Sequence, residues 1–353
     1  MATTPPLAFV GTATDSDEEG VFGFRTDENG SLSRTSAVTG GPDPKFLAPD
    51  ADGRHLYVAN RPEAGGSIVS YAVDHQAGTL SRVNATPTES DGASCYCSVD
   101  ATDQCVLTAQ YSDGTVSVLP IGEGGRVREP TAVIEHEGSG PDEDRQSEPH
   151  PHCILPGPDN EYAYVADLGA QRVFVYELDP AAGTLEPAAC GHVDVRAGTG
   201  PRHLDFHPNG RYAYLITELD STIVAFERDA ETGSLDPFAD VSTLPADFEG
   251  ENSAADVHVH PSGDYLYGSN RGHDSIAVYE LDADGRPSLV ETESTRGEWP
   301  RNFALDPTGR FLFAENAHTD TIVTFRIRAD GTLDPTGDVV EVPSPVCMRF
   351  VEE

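Results

Sequence analysis

The chain has 353 residues and a formal net charge of −38, from 60 Asp and Glu against 22 Lys and Arg, of which only Lys45 is a lysine. That field repels nucleic acid and anionic membranes, so neither is an expected partner. With 37% hydrophobic residues the composition is that of a globular protein with a substantial core, and no run of about 18 apolar residues offers a transmembrane helix.

In chain order, LAFVGTAT, GVFGFRT and LSRTSAVTG come first and read as three strands within about residues 7–39. Six copies of one unit follow. Each has an inner strand, a turn, an apolar-aromatic second strand, a polar loop, a third strand, a turn such as AAGTL or ADGTL, and a weaker fourth strand. The inner strands are PKFLAPD, SCYCSVD, PHCILPG, PRHLDFH, ADVHVHP and PRNFALD. The turns after them are anchored at Gly53, Asp103, Asn160, Gly210, Gly263 and Gly309, about 50 residues apart, which is propeller-blade spacing. The last segment, PVCMRFVEE, reads as one more inner strand without partners of its own. It complements the three strands at the other end. The expected fold is therefore all-β: a seven-bladed β-propeller of four-stranded antiparallel blades, one domain over residues 1–353. Its closing blade combines about residues 7–39 with 345–352, which removes an open sheet edge.

In an antiparallel hairpin the start of one strand lies beside the end of the next, so inner-strand starts and second-strand ends share one face of the ring. Seven residues past each anchor lie Asn60, Gln110, Asp167, Thr217, Asn270 and Asn316; eight past lie Arg61, Tyr111, Leu168, Glu218, Arg271 and Ala317. The inner strands begin with Lys45, Tyr96, His152, Arg202 and Arg301. Arg, His, Glu and Asn converging on one face suit an anion-binding funnel. The alternative for the Asn and Asp positions is turn capping, and for the arginines pairing with carboxylates. The polar stretch at residues 135–149 precedes the His152 strand on this face, and so does residues 244–253 for the next but one; loops this long usually serve function. No metal-ligand spacing, Ser-His-Asp arrangement or G-x-S-x-G elbow is present, and GTGPRH lacks the spacing of a phosphate loop. The six Cys, none in a C-x-x-C pair, read as buried free thiols. A start without a basic segment or long apolar core carries no secretory leader, so the expected location is cytoplasmic. Dense carboxylates with almost no lysine read as adaptation to a salt-rich cytoplasm, where the Debye length falls to about 3 Å in molar salt.

The segments PHPHCILPGPDNEYAYVADLG, GTGPRHLDFHPNGRYAYLITEL, DVHVHPSGDYLYGSNRGHDSIAVY and PRNFALDPTGRFLFAEN resemble the β-propeller lactonase family, which includes a bacterial type of 6-phosphogluconolactonase and the fungal carboxymuconate lactonizing enzyme. The resemblance spans nearly the whole chain. It implies a funnel site of a His, two Arg and a Glu, which here are His152, Arg202, Glu218 and Arg271, with His150 as a second histidine candidate. Arg145 and Gln146 match an Arg-Gln before PHPH and are expected to wall the site. Arg301, Asn270, Asn316 and Asp167 complete the expected substrate-binding set. Two positions depart from the family: Arg61 stands where many relatives carry Glu, and Tyr96 where a His is frequent.

The expected activity is metal- and cofactor-independent hydrolysis of a sugar lactone, with a phosphorylated aldonolactone as first choice. Glu218 or His152 would be the base. Arg202 and Arg271, which stay protonated, would hold the oxyanion or a phosphate. A cyclisation of an unsaturated dicarboxylate, a non-catalytic binding scaffold, and a calcium site built on Asp167, Asn270 and Glu218 are the alternatives. The partner is a small anionic lactone, and the chain is expected as a monomer or weak oligomer.

Overall fold

All six anchor residues adopt the left-handed backbone conformation: Gly53, Asp103, Asn160, Gly210, Gly263 and Gly309 have φ of 63°, 57°, 62°, 70°, 80° and 68°. Only Gly, Asn and Asp take this region at low cost, which is why these types recur at the turn. Gly53 has a second constraint, since a Cβ there would lie 2.0 Å from the carbonyl oxygen of Glu352.

The structure is a computed structural model that describes residues 5–352 apart from residues 16, 63 and 64. It contains seven four-stranded antiparallel sheets. Blades 1 to 6 follow in sequence, with inner strands Phe46–Pro49, Ser94–Val99, Pro151–Pro156, Pro201–Phe206, Ser253–Val259 and Pro300–Leu305. The closing blade takes Leu7–Thr12, Val21–Thr26 and Leu32–Val38 from one end of the chain and its inner strand, Pro345–Val351, from the other. Leu7 pairs with Val351 and Gly11 with Cys347, so the ring is closed by backbone pairing of the two ends.

Second strands such as Tyr162–Asp167 and Tyr212–Thr217 are buried at every residue, because each blade packs face to face with both neighbours. Fourth strands such as Leu32–Val38 are largely open to solvent, which explains their weaker sequence pattern. Buried tyrosines at one repeat position tie blade to blade. The Tyr214 hydroxyl donates to the Gly285 carbonyl at 2.8 Å and that of Tyr267 to Gly331 at 3.0 Å, so these two rings are buried without an unpaired hydroxyl.

A recurrent irregularity positions the functional face. In the pairing of inner with second strand, the register shifts at one place in blades 2 to 6 and in the closing blade. Pro151 faces Asp167 and Cys153 faces Ala166, which leaves His152 unpaired between them. The same β-bulge leaves Arg202 unpaired in blade 4, Arg301 in blade 6, Cys95 in blade 2 and Val346 in the closing blade. A bulge re-aims its extra residue out of the ladder. In blades 2, 3 and 6 it delivers Cys95, His152 and Arg301 to one cavity.

Candidate active site

The bulge residues Cys95, His152 and Arg301 and the residues at or just past the second-strand ends, Arg61, Tyr111, Glu218 and Arg271, meet in a cavity of about 450 Å³ whose lining also includes Arg145 and Trp299. Glu218 sits at the centre of a cage of three guanidiniums. Its Oε1 accepts from Arg145 Nη2 at 2.5 Å; its Oε2 accepts from Arg202 Nε at 3.0 Å and lies 3.0 Å from Arg271 Nη2. Burial by itself would raise this carboxyl, but Arg271 and Arg202 outweigh it and hold Glu218 well below the ordinary carboxylate range. Both oxygens are engaged by cations, so Glu218 is a poor proton acceptor and a strong organiser of arginines.

Arg271 is oriented from behind. It donates to the Ser253 and Ala254 carbonyls at 3.0 and 2.9 Å and to Ser253 Oγ at 2.8 Å, and its guanidinium lies 5.4 Å from the centre of the Trp299 ring. Burial, then Arg202, pulls its pKa down to about 9. It remains charged at neutral pH while its charge is under-solvated, which favours an incoming anion.

His152 is 5% exposed, and its Nδ1 has no hydrogen-bond partner among the described residues. Burial and then the Arg202 charge push its pKa well below 6.5. The imidazole is therefore neutral at physiological pH and free to take a proton.

Arg202 is placed differently from its expected role as an oxyanion clamp. It is 1% exposed and lies behind Glu218 rather than in the cavity wall. Its Nη1 donates to the Ala255 carbonyl at 2.5 Å and to His203 Nε2 at 3.2 Å. Accepting there requires the Nδ1–H tautomer of His203, whose Nδ1 donates to Asp256 Oδ1 at 2.6 Å. Burial and then Arg202 hold His203 down to about 3, so it stays neutral. Asp256 is balanced instead by His258, whose Nε2 is 2.9 Å away; burial opposes its charge, yet Asp256 raises it to about 9. Arg202 is thus a positioning residue, held by a His–Asp–His chain whose His203 and Asp256 are buried and whose His258 is half-buried.

Several other expected binding residues are occupied elsewhere. Asn270 Nδ2 donates to the Thr243 carbonyl at 2.8 Å and Asn316 Nδ2 to the Thr295 carbonyl at 3.2 Å, so each pins the segment arriving before its own inner strand. Asp167 accepts from His136 Nδ1 at 2.7 Å and from the His150 and Ala170 backbone amides at 2.7 and 2.8 Å. All three are fully buried, and the capping alternative accounts for them. His150 is turned away from the cavity: its Nδ1 donates to the Tyr111 carbonyl at 2.8 Å and its ring stacks on Tyr111 at 4.4 Å. These placements also remove the basis for a calcium site, because Asp167 and Asn270 are committed to turns and Glu218 is surrounded by cations.

Arg145 does reach the cavity, carried by the loop at residues 135–149. Gln146 beside it is fully buried and donates to the Leu168 carbonyl at 2.8 Å, which anchors the loop. In blade 2 the residue delivered by the bulge is Cys95, one position before the expected Tyr96. Tyr96 instead stacks on Phe46 at 3.9 Å lower in the channel. Trp299 was not expected from the sequence. It is the chain's only tryptophan and sits at φ 65°, a strained conformation for a bulky residue, fixed by its backbone amide donating to Asp274 at 2.8 Å and by stacking on His318. A lone Trp immediately before an inner-strand Pro was the available signal.

The seven-bladed β-propeller lactonase family pattern matches residues 7–350. The chain is 36% identical over 354 residues to a 6-phosphogluconolactonase of Bacillus subtilis, covering 99% of both chains. Among solved structures, a Bacteroides fragilis protein superposes with a TM-score of 0.93 at 33% identity, over 100% of this chain and 99% of that one. The periplasmic gluconolactonase PpgL of Pseudomonas aeruginosa gives 0.92 at 32% identity, over 98% and 99%. With the fold, the coverage and the identity in agreement, the chain belongs to the lactonase family of seven-bladed β-propellers.

Proposed function

We propose that the protein hydrolyses a sugar lactone in the funnel, with a phosphorylated aldonolactone of the 6-phosphogluconolactone type as substrate. The observation that carries this reading is a neutral, buried histidine set beside a rigid group of arginines in one cavity. The names of the relatives point the same way.

In this mechanism His152 takes a proton from water as the water oxygen bonds to the lactone carbonyl carbon. The carbonyl electrons move to the oxygen, and Arg271 stabilises that oxyanion. Collapse reforms the carbonyl and breaks the bond to the ring oxygen, which recovers the proton from His152. Glu218 takes no proton; it holds Arg145, Arg202 and Arg271 in register so that no reorganisation is needed at the transition state. A bound anionic substrate offsets the cationic surroundings of His152 and raises its basicity when it is needed.

The test is hydrolysis of 6-phosphogluconolactone and gluconolactone by the purified chain, corrected for spontaneous opening. His152→Ala is expected to lower kcat by about 10²–10⁴, the usual worth of a general base, with an unchanged melting temperature. A folded variant with wild-type kcat removes His152 from the mechanism.

A further inference from the structure

The cavity wall is uneven. On the side of blades 3 to 5 the cations are compensated by Glu218. On the opposite side of the sequence order, blade 6 and blade 1 flank the closing blade and contribute Arg301, Lys45 and Arg61 to the same cavity. Lys45 is neutralised by Asp43 at 2.9 Å. Arg301 and Arg61 have no side-chain hydrogen bond or ion pair among the described residues. Arg61 is exposed, so its freedom alone says little. Arg301 is half-buried, and among the described residues it is the one guanidinium so placed with no hydrogen bond, ion pair or ring contact.

That isolation is costly. Burial and the nearby Arg202 charge pull the Arg301 pKa down to about 10, against the weaker opposing pull of Glu218 and Asp43, as for a cation with no carboxylate in direct contact. Of the 60 carboxylates in the chain, Glu218 and Asp43 act on Arg301 only at a distance, and among the described residues none forms an ion pair with it. Between the two cationic blades, the closing blade offers only Val346 at its bulge and Ala13 past its second strand, both small and apolar. Arg61 also lines a second cavity of about 980 Å³ together with Asp15, Asp17, Asp43 and Asp91, whose charges would repel an anion there.

We propose that Arg301 and Arg61, across the closing blade, form a subsite for a terminal phosphomonoester, distinct from the group that acts on the lactone carbonyl, and that Arg61 sets the preference for phosphorylated substrates. Two guanidiniums without a direct ion pair match the two charges of a phosphomonoester, and planar forked donors suit its oxygens. The proposal rests on the lactonase reading for its substrate, but not for its ligand chemistry.

The experiment compares kcat/KM for 6-phosphogluconolactone with that for gluconolactone in the wild type, Arg301→Gln and Arg61→Glu, at one fixed ionic strength. Inorganic phosphate binding to the same three proteins is measured by calorimetry. The preference for the phosphorylated lactone is expected to fall about ten- to hundredfold in Arg301→Gln, the worth of one or two charge-assisted hydrogen bonds. In Arg61→Glu, an exposed position that leaves the fold intact, it falls at least as far because the charge is reversed. Phosphate binding weakens in both. An unchanged preference in both variants overturns the subsite. If neither lactone is turned over, the lactonase reading fails while calorimetry still decides the subsite: weakened phosphate binding in Arg301→Gln supports it, and equal binding refutes it.

Discussion

Blades 3 to 5 and blades 6 and 1 hold cations in and behind one cavity in opposite ways. In the first group Arg145, Arg202 and Arg271 are locked onto one carboxylate and onto backbone carbonyls. In the second, Arg301 and Arg61 stand without partners among the described residues. A charge that must keep its position through a reaction is pre-paired, so that its orientation does not depend on substrate. A charge that must recognise an anion is left short of counter-ions, so that the ligand supplies them. On the proposed reading, the same residue type serves geometry on one wall and affinity on the other.

The largest expected effect breaks the paired wall. Glu218→Gln keeps the shape but leaves three guanidiniums repelling one another, and kcat/KM is expected to fall by about 10²–10³, in line with ~3–5 kcal/mol for breaking a buried charge cluster. The melting temperature should fall with it. Steady-state kinetics and thermal unfolding of the same preparation check this, and wild-type kcat/KM would mean that the cage is not what aligns Arg271.

Next comes the pH profile, which asks whether that wall sets the state of His152. With its folded pKa lowered well below 6.5, the neutral base persists as pH falls through the ordinary histidine range. Activity is lost only when the lowered value is crossed from above. A plot of kcat/KM against pH should be flat through pH 6.5, with its acid limb well below. A limb centred at 6.5 would place the working base outside the influence of Arg202.

The smallest effect sharpens the difference between site and scaffold. Asn316→Ala removes a buried pin to the Thr295 carbonyl. It is expected to cost about 1–2 kcal/mol of stability in denaturant unfolding. Both lactones' kcat/KM should stay within about twofold, as for a change outside the reacting network. A larger change in preference for the phosphorylated lactone would bring Asn316 back into substrate binding.

Much of this protein is determined by its sequence alone. The anchor positions had to be Gly, Asn or Asp because the turn requires positive φ, and that periodicity, with complementary ends, specifies seven blades. Counting eight residues from an anchor finds Arg61, Tyr111, Glu218 and Arg271 because strand lengths repeat. Tertiary structure decided the rest. The bulge that selects Cys95 over Tyr96 exists only when two strands pair, since one strand carries no trace of which residue its partner skips. The burial of Arg202 behind Glu218 depends on His203 and Asp256 arriving from two blades. The unpaired state of Arg301 is a property of what surrounds it, and charge composition, which supplies 60 carboxylates, could not reveal that none of the described ones is in contact with it. Local backbone preference repeats along a chain and is legible in it; compensation of charge is settled across blades, where residues far apart in sequence come together.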